Sequence, residues 1–195
     1  MRENSSPAGD CCNGLFDAFE FTRFQDAEPP KRKGVYVIRI HRRGTPVEEV
    51  HDKAIALAES IGWDVAGRFL HSRLDRLSKI GDCPTIYIGS AGTYAGSKNT
   101  LHGRYRELAT RHTAKYPVWA LLSSRWELQY GWMIVDEHPG AVEEVLKKRY
   151  RGAQREAACA GDPVSGARLI QDNGTLPAEH PSTQTNTHIT PPPDL

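Results

Sequence analysis

The sequence predicts an α/β (α+β) protein with a small three-stranded antiparallel sheet flanked by helices. Two observations carry the sheet. The stretches GVYVIRI (34–40) and TIYIGS (85–90) have the β-branched and aromatic content of strands, and WELQYGWMIV (126–135) alternates Leu128, Tyr130, Trp132 and Ile134 on one side. A third observation places helices around it, because the segments between and after these strands carry apolar residues at a spacing of three and four. At 195 residues the chain has room for one compact domain with tails.

Residues 1–33 read as an N-terminal arm. MRENSSPAGDCCNG is rich in turn formers and predicts disorder; LFDAFEFTRF then spaces Leu15, Phe16, Phe19 and Phe24 so that most share one helical face, before Pro29 and Pro30 interrupt it. Between the first two strands, residues 41–82 predict a two-helix insertion. Ala54, Leu57, Ala58 and Ile61 form one stripe, Phe69, Leu70, Leu74 and Leu77 a second, and Gly62 and Gly67 bracket the break.

After the Gly-rich GSAGTYAGSKN, the stretch TLHGRYRELATRH predicts a helix with Leu101, Tyr105, Leu108 and His112 on one face and Arg104 and Arg111 along its flank; Arg106 points to solvent. Beyond the third strand, HPGAVEEVLKKRY predicts a helix with Pro139 in its first turn. Its buried stripe is Val142, Val145, Leu146 and Tyr150, with Glu143 at the edge and Glu144 opposite. The domain is expected to end near 155, followed by a C-terminal extension over 156–195 that is disordered from about 175, where Pro and Thr replace any apolar pattern.

The formal net charge of +1 conceals an uneven distribution. Residues 81–155 hold eleven Lys or Arg against seven Asp or Glu, whereas 156–195 hold one against five. The basic charge is densest from Lys98 to Lys115, a local field that attracts phosphate. The four cysteines, Cys11, Cys12, Cys83 and Cys159, include no C-x-x-C pair, and the eight histidines no H-E-x-x-H, so structural zinc and a disulfide framework are not expected. Trp119, Trp126 and Trp132 read as packing residues. No apolar run approaches the roughly 20 residues of a membrane span, nor does the N-terminus carry the apolar stretch of a signal peptide, so a soluble cytoplasmic protein is expected.

Gly34-Val35-Tyr36 and Tyr87-Ile88-Gly89 on the first two strands, then Leu101-x-x-Arg104 on a helix and Glu143 on a helix after a third strand, together resemble the GIY-YIG nuclease family. The resemblance covers residues 34–150 and extends to E-x-x-L-x-K-x-Y from Glu143 to Tyr150. It implies a metal-dependent DNA endonuclease of stand-alone type, closer to restriction or defence nucleases than to repair subunits. Tyr36, Tyr87, Arg104 and Glu143 would be catalytic, with Glu143 holding Mg²⁺ or Mn²⁺. By analogy Tyr36 orients or deprotonates the attacking water and Tyr87 assists; Gly89, Lys98, Arg111 and His112 face phosphate or DNA, expected to be double-stranded.

The chemistry suits these types: a single carboxylate holds a cation that keeps most of its water shell, and a guanidinium places forked donors on a phosphate oxygen. Leu108 stands where several members carry His or Tyr, and Arg155 where many carry Asn. These departures define the alternative, a non-catalytic nucleic-acid-binding module on the same fold.

Overall fold

The computed structural model describes residues 12, 14–60, 83–93, 98–110 and 115–159. Strand β1 (Glu20–Arg23) runs into a 3-10 turn (Phe24–Asp26), then come β2 (Gly34–Arg42), α1 (Val47–Ser60), β3 (Thr85–Ala91), α2 (Leu101–Thr110), α3 (Lys115–Ser123), β4 (Glu127–Ile134) and α4 (Pro139–Cys159). The class is α+β, and every neighbouring pair in the sheet is antiparallel, in the order β1-β4-β2-β3.

The sheet therefore has four strands where the sequence predicts three. The extra one comes from the arm expected to be helical, and its pairing of Phe21 with Gly131 and Thr22 with Tyr130 extends the sheet beyond β4. Phe21 lies over Gly131, where any side chain would collide with its ring, and the Arg39 guanidinium stacks on that ring with Cζ 3.6 Å from its centroid. A ten-residue amphipathic segment gains little as an isolated helix, whereas an edge ladder satisfies its backbone groups and sends its aromatics to both faces.

Those two faces hold separate cores. On one, Tyr36, Ile38, Tyr130 and Trp132 pack with Leu101 and Leu108 of α2, Leu121 of α3 and Val50 and Ala54 of α1, and Phe24 joins them. On the other, Val35, Val37 and Ile88 meet Leu146 and Tyr150 of α4, together with Phe16 and Phe19 of the arm. The Tyr150 hydroxyl donates to the Thr85 carbonyl at 3.2 Å and lies 3.4 Å from the Cys83 sulfur, anchoring α4 to the start of β3. Cys12 and Cys83 are buried thiols that are not joined in a disulfide, with their sulfurs 3.6 Å apart.

Within the expected insertion, α1 carries the buried Ala54 of the first stripe, while Ile61 of that stripe and the whole second stripe lie outside the described residues. Val145, expected to be buried, is 50% exposed, and Ile134 of the third predicted strand is 39% exposed. Ile134 is the last residue of β4, and Val145 falls on the solvent side of α4, on which Leu146 and Tyr150 are buried. Helix α3 has no counterpart in the sequence reading. Pro117 occupies its first turn, where the missing N–H breaks no helical bond. Helix α4 also runs through Gly152 to Cys159, past the expected domain end at 155. Among the described residues no helix is long and apolar enough to cross a membrane.

Candidate active site

The register sets the site. Tyr36 lies opposite Gly89 and Ile38 opposite Tyr87 across the β2–β3 ladder, so the two phenols fall on one face, two residues apart along the pleat. Their rings stack with centroids 5.7 Å apart and planes 13° from parallel; Tyr130 of β4 stacks on the other side of Tyr36 at 5.5 Å and 19°. A Cβ on Gly89 would stand 2.6 Å from the Tyr36 hydroxyl and 2.8 Å from the Tyr87 ring. Glycine here is the space the phenols occupy.

Arg104 reaches this column from α2. Its Nη1 donates to Glu107 Oε2 at 2.6 Å, one turn along the helix, while its Nε is buried with no hydrogen-bond partner. The Tyr130 hydroxyl is likewise buried and unpartnered. Two donors without acceptors on one cluster are a concentration of unmet hydrogen-bonding capacity, and an anionic oxygen is what would satisfy it.

Burial keeps the Tyr36 and Tyr130 phenols neutral, and the guanidinium stays charged. Burial pushes the Tyr36 pKa well above its ordinary value; the neighbouring Tyr87 and Tyr130 and the hydrogen bond with Tyr87 add to this, and only Arg104 opposes it. Burial also dominates the strong rise at Tyr130 and the smaller one at Tyr105. For Arg104 burial disfavours the charge, but the bond to Glu107 and the phenols Tyr36 and Tyr87 outweigh it, so its pKa rises.

Glu143 belongs to a different group. Ser90 follows Gly89 on β3, so its side chain faces α4 rather than the phenols, and its hydroxyl donates to Glu143 Oε2. Ser90 Oγ also lies 2.8 Å from Thr93 Oγ1; with its own proton on Glu143, it accepts from Thr93. Lys147 Nζ sits 2.6 Å from Glu143 Oε1, and both side chains are almost enclosed, at 14% and 12% exposure. Tyr36, Tyr87 and Arg104 thus share one face, and Glu143 lies on the other, joined to them through β3.

Glu143 is partly covered and Glu144 exposed, as their helical positions predict. Gly89 is buried within the cluster, and Lys98 is exposed on the segment that leads into α2. Arg111 and His112 lie outside the described residues. The sequence reading missed Tyr130, Ser90 and Lys147. Strand alternation carries the signal for the first two; four-residue spacing on a helix carries it for Lys147.

A divalent cation at Glu143 would find hard oxygen donors in its carboxylate and in the hydroxyls of Ser90 and Thr93, a set that suits Mg²⁺ or Mn²⁺. Among the described residues no group of three His, Cys, Asp or Glu side chains converges, so one carboxylate and water would carry most of the coordination. No protein-family model, no curated protein and no solved structure matches this chain.

Proposed function

We propose that this protein is a metal-dependent phosphodiester hydrolase acting on DNA, with a GIY-YIG-like site. The observation that carries the reading is the stacked pair Tyr36 and Tyr87 beside a charged Arg104 whose Nε has no partner. Arg104 is fitted to hold a nonbridging phosphate oxygen, and its charge offsets the negative charge that grows there during hydrolysis. The exposed Lys98, on the segment leading into α2, and the exposed Arg106 of that helix add positive charge to the surface.

The outer position of strand β3 supports a reading in which groups on its two faces serve one phosphate. Among the described residues nothing pairs with the free edge of that strand. A backbone phosphate laid along that edge has Tyr87 to one side and the Ser90–Glu143 pair to the other. A metal ion held by Glu143 would supply Lewis acidity and a lowered water pKa.

The tyrosine roles differ from the analogy. Tyr36 keeps its proton, since burial, Tyr87 and Tyr130 raise its pKa against the opposing charge of Arg104, so it serves as a donor that fixes Tyr87. Tyr87 is then the phenol that orients the attacking water. The decisive experiment is incubation of supercoiled plasmid with wild-type protein, Glu143→Ala, Tyr87→Phe and Arg104→Ala in Mg²⁺, Mn²⁺ or EDTA. Metal-dependent nicking or linearisation lost in all three variants is the expected result; intact plasmid with wild type under every condition overturns the hydrolase reading.

A non-catalytic DNA-binding module is the second reading, favoured by the engagement of both Glu143 oxygens by Ser90 and Lys147. It predicts a gel shift that Glu143→Ala and EDTA leave unchanged.

A further inference from the structure

We infer that Lys147 is a positioning residue for metal binding: its ammonium occupies the cation position on Glu143 Oε1 and moves to Glu144 when a divalent cation arrives. The inference rests on the reading of Glu143 as the metal ligand.

Three observations support it. Lys147 Nζ lies 2.6 Å from Glu143 Oε1 in a nearly enclosed pair, so the carboxylate has a cation at hand and is not left as an uncompensated buried charge. Ser90 fixes the other oxygen, Oε2, so the rotamer of Glu143 is set from both sides before any metal binds. A third group gives the lysine somewhere to go. Glu144 Oε1 lies 3.7 Å from the same Nζ, and its side chain is 69% exposed. From Glu143 to Glu144 the ammonium moves outward along its own helix, into water, and never loses a carboxylate partner.

The consequence is competition. A divalent cation must displace the ammonium from Oε1, so the lysine lowers apparent metal affinity while keeping the ligand preorganised. This is an opposite expectation from that for an ordinary helix-stabilising pair at four-residue spacing, whose loss costs a little stability and leaves metal affinity alone.

The test is titration of the full-length protein with MnCl₂, free Mn²⁺ being read by electron paramagnetic resonance, for wild type, Lys147→Met, Lys147→Arg and Glu143→Gln, with thermal melts in parallel. Lys147→Met is expected to tighten the Glu143-dependent Mn²⁺ site by about five- to tenfold, the gain from removing one competing cation. Lys147→Arg, which keeps a cation at that place, should stay within about twofold of wild type. If Lys147→Met leaves Mn²⁺ affinity unchanged or weakens it while wild type shows a Glu143-dependent site, the inference fails and the hydrolase reading stands. Absence of any site sensitive to Glu143→Gln, in wild type and Lys147→Met alike, overturns both.

Discussion

Gly89 lies directly across the β2–β3 ladder from Tyr36, and the phenol fills the volume that any side chain at residue 89 would need. The stacking of Tyr36 on Tyr87, and through it the approach of Arg104, depends on that missing atom. Backbone flexibility is not the reason for glycine here. The reason is space beside two rings that are themselves held by the sheet.

Gly89→Ala is therefore expected to force both rings aside, at a cost of roughly 1–3 kcal/mol, the usual range for overpacking a filled core. Urea denaturation measures the stability loss, and the plasmid assay should show cleavage falling further than stability does. A variant as stable and as active as wild type would show that the column can yield without consequence.

Tyr130→Phe should be neutral or stabilising by up to about 1 kcal/mol. Its hydroxyl is buried without a partner, so the substitution removes a desolvated polar group and keeps the stacked ring. Equilibrium unfolding of wild type and variant decides it; a loss of more than about 1 kcal/mol would mean that the hydroxyl has an acceptor in solution.

The alkaline behaviour follows from the raised pKa values. The neutral forms of Tyr36 and Tyr130 are the ones that fit the fold, so below the unfolded tyrosine pKa of about 10 these groups contribute no pH dependence. Above it the unfolded chain releases protons that the folded one keeps, and stability falls as pH rises. Of the seven tyrosines, Tyr36 and Tyr130 should escape ionisation until the protein unfolds, as phenolate absorbance near 295 nm would show when compared with Tyr36→Phe and Tyr130→Phe.

Cys12 and Cys83 provide a test of the arm. Their sulfurs are 3.6 Å apart across 71 residues, so treatment with diamide should join them, each thiol losing one proton and one electron and the reagent being reduced to its hydrazine. The cross-link would raise stability by roughly 4 kcal/mol in the chain-entropy account. Peptide mapping without reductant should find Cys12 bonded to Cys83; pairing of Cys83 with Cys11 or Cys159 instead would place the arm elsewhere.

The sequence by itself determined the three strands that hold the site and the helices that bear Arg104 and Glu143, because period-two and period-3.6 patterns are local properties of the chain. It also separated Arg104 from the exposed Arg106 and Glu143 from the exposed Glu144. The arm defeated it, since a short run of phenylalanines fits a helix face as well as a strand and turn that send Phe21 and Phe24 to different neighbours. Only an available edge on β4 decides between them, and an edge is a property of the assembled sheet. Tertiary structure alone likewise decided that Tyr36 pairs with Gly89 and that Glu143 meets Ser90 and Lys147 on the face away from the phenols. Strand register sets those meetings, and register is fixed by how both faces pack against helices distant in the chain.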